Sequence, residues 1–268
     1  MRIAGKRALI TGASRGIGAD IARGLRREGA DVALVARGAD DLDKLAHDLG
    51  GKAYPSDLTD QTALRGLLDR VEADGPVDIL VNNAGDEKIG NFVDMDADTL
   101  QFIIGLNVLA VAELQRQAAP RMVSRGRGHI VNVSSFAGVV CPPSLATYAA
   151  TKAFITHHTV NLGEEFRHTP VRFTKVEIGE VADTGLMDKG RTDPVFAAMM
   201  HRFYRLKTSR LITPDEITAG VIDAIENEKL SVRLPRRMAF SSYLADAPRA
   251  LTKTLTRDIR RKVREGRM

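Results

Sequence analysis

Tyr148 and Lys152 stand four residues apart in Tyr148-Ala149-Ala150-Thr151-Lys152, a spacing that puts two side chains on one face of a helix. A free phenol titrates near ~10, too high for proton transfer near neutrality, and an adjacent ammonium stabilises the phenolate and lowers that value. The pair predicts an acid/base that protonates a carbonyl oxygen, or deprotonates an alcohol, as a hydride moves. Upstream, Val131-Asn132-Val133-Ser134-Ser135 ends an apolar run. A strand there would deliver two hydroxyls, either of which could bond the developing oxyanion. Tyr/Lys spacing alone arises often by chance, so its weight depends on its surroundings.

A hydride needs a carrier. Thr11-Gly12-Ala13-Ser14-Arg15-Gly16-Ile17-Gly18 follows a first apolar run and precedes a helical pattern. Glycines allow close approach of a ligand, and free N–H groups at a helix start favour an anion. The other reading is an ordinary glycine-rich turn. The spacing is G-x-x-x-G-x-G, not the more common G-x-G-x-x-G. Downstream, the second strand ends Val35-Ala36-Arg37 with no carboxylate to bond a ribose 2′-hydroxyl. Arg37, aided by Arg15, can pair with a 2′-phosphate, which predicts NADP(H) over NAD(H).

The octapeptide at 11–18, with Asn82-Asn83-Ala84-Gly85 after the fourth strand, resembles the short-chain dehydrogenase/reductase family, and the likeness runs from about Lys6 to Glu228. It implies catalytic roles for Asn107, Ser135, Tyr148 and Lys152. Ser135 is favoured over Ser134 because it lies thirteen residues before Tyr148, and Asn107 would hold a water linking Lys152 to solvent. It also implies a cofactor site of Gly12, Ser14, Arg15, Gly16, Ile17, Gly18 and Arg37. Asp57 and Leu58 would meet the adenine, and Asn83, Ala84 and Gly85 the ribose. Tyr148, Lys152, Gly179 and Val181 would lie toward the nicotinamide. Asp57 has a second reading, a cap on the following helix. The family's Pro-Gly and Thr after the sixth strand are altered here: Ile178 precedes Gly179, and Thr184 sits one residue late. Asp86 and Glu87 make the mouth unusually acidic. Family members assemble as dimers or tetramers, here through helices 98–123 and 148–167.

The elements that must position these groups alternate. Strands are predicted at 7–10, 31–36, 52–56, 77–81, 129–133, 171–178 and 230–234. Helices are predicted at 17–27, 40–49, 60–73, 98–123, 148–167 and 215–227, with 187–206 irregular or helical. That pattern predicts an α/β, Rossmann-type doubly wound αβα sandwich on a largely parallel seven-stranded sheet. Residues 1–234 form its catalytic domain, with a substrate lid at about 185–208. Phe136, Val139, Val140, Leu145, Leu186, Met187, Phe196, Met199, Met200 and Phe203 read equally as an apolar pocket for an apolar carbonyl or alcohol and as core.

Composition bounds the rest. The chain has 268 residues and one cysteine, Cys141, which cannot pair internally; a reducing cytoplasm is the expectation. With 5% aromatics, no Trp and no motif, nucleic acid is not an expected partner. No histidine or cysteine spacing, His157-His158 included, suits a metal. No apolar run approaches the ~18 residues of a membrane span, and the N-terminus carries no signal-like stretch. The net charge of +5 resides in the tail: residues 235–268 hold ten Lys/Arg against three acids. Leu251, Leu255, Ile259 and Val263 recur there as a basic amphipathic stripe. A helix packed on its own subunit is the plainer reading. A peripheral membrane contact serving lipidic carbonyls is the alternative, and a non-catalytic NADP sensor is the alternative of another class.

Overall fold

Strands covered on both faces read as unbroken apolar runs. β1 (Arg7–Thr11), β2 (Asp31–Val35) and β4 (Ile79–Asn82) are of that kind. With β3 (Lys52–Ala53), β5 (Gly128–Ser135), β6 (Val171–Ile178) and β7 (Ser231–Leu234) they form a parallel sheet in the order β3-β2-β1-β4-β5-β6-β7. The structure, a computed structural model, describes residues 1–140, 142–182, 193–205, 210–238 and 243–244. Cys141, Thr184, Leu186, Met187 and the stripe at 251–263 lie outside them.

Helices cover both faces. α1 (Gly16–Arg27), α2 (Ala39–Leu49) and α9 (Pro214–Glu226) bury Ile21, Leu25, Leu42 and Val221 against Ile10, Val32 and Val81. α3 (Gln61–Glu72) and α5 (Ala110–Ser124) bury Leu64, Leu67, Leu114 and Ala118 against Leu9, Leu80 and Ile130. Each such side chain stabilises the fold by about 1.5–3 kcal/mol. α7 (Ala146–Glu165) lies on β5 and β6 on that second face. The three-layer sandwich expected from the sequence is therefore the fold. The strand order reverses between β1 and β4, and a crevice opens there at the carboxyl ends of the strands.

Three local differences have physical causes. β3 is shorter than the predicted 52–56, because β2 ends at Val35 and the register Leu34↔Ala53 leaves little strand beyond it to pair with, although Tyr54 and Ser56 still donate to Leu34 O and Ala36 O. Asp57 does not cap α3; Asp60 does, accepting from the N–H groups of Thr62 and Ala63. Asp57 instead accepts from the Thr59 N–H and hydroxyl. The predicted helix 98–123 is α4 (Ala97–Ile104) running into α5 through a π turn at Gly105–Leu109. Contrary to the sequence expectation, this continuous helix is long and apolar enough to cross a membrane. Its buried face, with Ala110, Leu114 and Met122, lies against the sheet layer, and Arg116 and Glu113 pair on its outer face.

Two further helices frame the crevice. α6 (Ala137–Val140) follows β5 directly, and α8 (Pro194–Arg205) occupies the middle of the expected lid segment. A capping box between Thr213 and Glu216, with Pro214 in the first turn, starts α9.

Candidate active site

The ends of β4 and β5 are locked by a buried polar chain. Asn82 Nδ2 donates to Asn132 Oδ1 at 2.8 Å. Asn132 Nδ2 donates to Gln115 Oε1 at 3.2 Å and to Thr159 Oγ1 at 3.0 Å. Asn82 Oδ1 stays without a partner among the described residues, but the bonds that are made hold the elements they join in one arrangement. The sequence reading missed this chain, although an asparagine amid Ile130-Val131 and Val133 was its signal.

Neighbouring strand residues face opposite ways, and this separates the two serines. Ser134 faces α7, where its hydroxyl donates to Lys152 O at 2.9 Å and lies 2.8 Å from Thr156 Oγ1. Ser135 faces the crevice; its Oγ accepts from the Ala137 N–H at 3.1 Å and is hydrogen-bonded to Tyr148. Lys152 Nζ donates to Val133 O at 3.0 Å and lies 5.5 Å from the centre of the Tyr148 ring.

The expected lowering of the phenol is not found. Burial pushes the Tyr148 hydroxyl up to about 12, opposed by the Ser135 hydrogen bond and reinforced by the Glu87 carboxylate. Burial likewise pushes Lys152 down to about 8, with Glu87 opposing. The ammonium lies by the ring, engaged with a backbone carbonyl, and the shift of the phenol follows its desolvation and not that charge.

Asn107 sits in the π turn, 1% exposed. Its Nδ2 donates to Asp86 O at 2.9 Å and to Thr151 Oγ1 at 3.0 Å, and its Oδ1 accepts from the Asp86 N–H at 2.9 Å. One extra residue in a helical turn redirects side chains, and such turns recur at functional sites. Gly85 passes between the two catalytic candidates: a Cβ there would lie 3.2 Å from Asn107 Oδ1 and 3.4 Å from Lys152 Nζ.

The crevice suits a dinucleotide. Gly12 has φ +66°, and a Cβ on Gly18 would fall 2.3 Å from Gly12 O and 2.5 Å from Asn83 Nδ2, so strand, turn and helix meet closely. At Gly16, φ +57°, a Cβ would meet nothing within 4 Å, leaving that side of the turn open. The first turn of α1 holds no acid, and Arg15 at its N-cap makes no side-chain cap, which leaves its N–H groups to an anion. Thr11 Oγ1 accepts from the N–H groups of Asn83 and Ala84, tying the Asn-Ala-Gly segment to this turn. Ser14 and Ile17 are half-buried beside it, and Leu58 is buried. Arg37 is exposed, its guanidinium 5.3 Å from the centre of the Phe102 ring. Asp57 is held below the usual carboxylate range by its Thr59 hydrogen bonds, with Arg37 adding its charge.

Beside Ser135 and Tyr148 a cavity is lined by Phe136, Val140, Leu145, Phe196, Met199, Met200 and Phe203, so these side chains of the apolar set do border a pocket. Gly179 and Glu180 also line it, and Val181 is buried next to them in a bridge to Ile212. The sequence reading noted Glu180 only as part of an altered motif. Burial raises its carboxyl to about 7, and the Tyr204 hydroxyl donates to its Oε2. A raised folded value means that the neutral form stabilises the fold below the ordinary ~4.5, and that this contribution fades as pH climbs through about 7. Glu180→Gln is therefore expected to raise Tm above wild type by about 2–4 °C at pH 8.5, the shift that ~1 kcal/mol gives in a chain of this size. At pH 4 the two should melt together. Equal melting at both pH values in a thermal series would contradict the assignment.

Comparison with known proteins adds kinship to this geometry. Residues 6–194 match the family described as short chain dehydrogenase. Over 187 residues the chain is 38% identical to the oxidoreductase UcpA of Salmonella typhimurium, covering 67% of this chain and 71% of that one. A short-chain dehydrogenase from Sphingobium yanoikuyae in complex with NADPH superposes with a TM-score of 0.80 at 29% identity, over 93% of this chain and 95% of that chain. A short chain dehydrogenase/reductase from Burkholderia phymatum in complex with NAD gives 0.78 at 26% identity, over 90% and 93%.

Proposed function

We propose that this chain, which belongs to the short-chain dehydrogenase/reductase family, interconverts a carbonyl and a secondary alcohol with NADP(H), using Tyr148 as acid/base. Its class, an oxidoreductase of CH–OH donors with a nicotinamide acceptor, comes with the family. The observation that carries the finer reading is that Ser135 and Tyr148 line one largely apolar cavity, with Lys152 Nζ buried 5.5 Å from the centre of the Tyr148 ring.

The nicotinamide, when bound, supplies or accepts the hydride. Gly12, Gly16, Gly18 and the first amides of α1 would hold its pyrophosphate. Arg37 would meet the 2′-phosphate, and Asp57 and Asn83 the adenosine half. Ser135 donates to the substrate oxygen and holds it beside Tyr148, whose hydroxyl delivers the proton as charge develops there. Lys152 lies behind the phenol and supplies positive charge as the proton leaves. Asn107 fixes the segment after β4 against α7, so that Gly85, Lys152 and Tyr148 keep their spacing.

A phenol held near 12 is protonated at neutral pH, so it is ready as an acid and poor as a base. Carbonyl reduction is therefore expected to vary little between pH 6 and 7, while kcat/KM for alcohol oxidation climbs from pH 7 and levels off as Lys152 loses its charge through about 8. The test is a screen of ketones, aldehydes and alcohols with NADPH/NADP+ and NADH/NAD+ in parallel, across that range. No turnover of any carbonyl, with NADPH still bound tightly, would leave a binding protein in place of the enzyme.

The exposed apolar groove between α4 and α7, lined by Phe92, Leu100, Ile104, Val108, Ala146 and Thr147, supports assembly with a second copy.

A further inference from the structure

Among the described residues, the lining of the cavity beside Tyr148 is apolar apart from the catalytic hydroxyls and one carboxyl. Glu180 is 6% exposed, and its Oε1 is a buried acceptor with no hydrogen-bond partner among the described residues. Its position is fixed on three sides. Gly179 N–H donates to Leu234 O at 2.7 Å, Ile212 N–H donates to Glu180 O at 3.0 Å, and the Tyr204 hydroxyl of α8 engages Oε2. A buried oxygen left without a donor is a destabilising arrangement, and one that borders a ligand cavity is satisfied when a ligand brings the donor. A hydrophobic pocket discriminates weakly between similar substrates, whereas a buried polar group rejects strongly the analogue that lacks its partner.

We infer that Glu180 is a specificity residue whose free carboxyl oxygen accepts a hydrogen bond from a second hydroxyl of the substrate, so that the preferred substrates are hydroxy-ketones and the corresponding diols. This rests on the carbonyl/alcohol reading of the same site. Tyr204 already occupies one oxygen, and among the described residues the rest of the lining, from Phe136 to Met199, offers no charge to balance a fully ionised ligand group. Burial also keeps the carboxyl neutral over much of the acidic range, which suits a neutral partner.

The experiment uses the full chain with NADPH and a ladder of straight-chain ketones. Each ketone carries a hydroxyl one to five carbons from the carbonyl and is assayed beside its counterpart lacking that hydroxyl. Within each enzyme the readout is the ratio of kcat/KM values for the pair, which does not depend on overall activity. Wild type is expected to favour the hydroxylated member by about tenfold or more at one spacing, mostly through KM, as one hydrogen bond to a carboxyl provides. Glu180→Leu should bring that ratio below about threefold, and Glu180→Gln, which keeps an acceptor, should retain most of it. A merely structural role would lower both members alike and leave the ratio intact. Turnover with no preference at any spacing, or a preference that survives in Glu180→Leu, overturns the assignment while sparing the carbonyl reading. Absence of turnover on every ketone overturns both.

Discussion

Tyr148→Phe is expected to lower kcat/KM for carbonyl reduction by about 10³-fold while the Kd for NADPH stays within about threefold of wild type. General acid catalysis by a placed side chain is worth roughly 10²–10⁴-fold, and the substitution removes only the hydroxyl. The ring that lies 5.5 Å from Lys152 Nζ is kept, so the packing of α7 on β5 persists. The variant loses the hydrogen bond to Ser135, whose Oγ still holds the Ala137 N–H. Loss of turnover with intact NADPH fluorescence titration separates chemistry from binding. A deficit under tenfold would mean that another group, such as a water beside Ser135, delivers the proton.

The second large effect concerns the adenosine end. Arg37→Glu is expected to cut the NADPH-over-NADH ratio of kcat/KM by about 100-fold or more. The guanidinium stands two residues past β2, exposed to solvent and steadied by the Phe102 ring. A charge-assisted bond to phosphate contributes about 1.5–3 kcal/mol, and a carboxylate in its place adds repulsion while offering the 2′-hydroxyl of NADH an acceptor. Each 1.4 kcal/mol is a factor of ten. An unchanged ratio in steady-state assays with both cofactors would assign the preference elsewhere, with Arg15 the next cation on the crevice rim.

Much of this was legible in the residues because it depends on patterns of short range. Unbroken apolar runs named β1, β2 and β4, and glycines between β1 and α1 named the turn. Position in order named Ser135, where the alternation of β5 then showed physically why Ser134 is the inward member. What was not legible depends on the third dimension. The Asn82–Asn132–Gln115 chain joins three separate elements, with Asn82 fifty residues from Asn132, so no local spacing announces it. The sign of the phenol's shift required knowing how the fold shields the half-buried Tyr148 and the buried Lys152 from water. The i, i+4 spacing gave the neighbour but not the desolvation. Glu180 looked like a lapse in a motif until Tyr204 and the cavity were placed beside it. The Asp57 cap failed because Asp and Asn favour both caps and local turns, and Asp60 was the better placed of two acids.

The π turn at Gly105–Leu109 has a consequence for how this helix tolerates change. It holds one residue more than a regular spiral would use, so loss of a single codon within it would leave an unbroken, well-bonded rod. That rod would keep its place. The widened turn takes up the extra residue, so the segments on either side would go on presenting the same sides to the interior. Ile103 and Leu114 would both stay inside, and only the amide of Asn107 would swing off Asp86 and Thr151. Shortening this stretch by one residue is thus expected to spare the core and to remove the contacts that the wide turn exists to make.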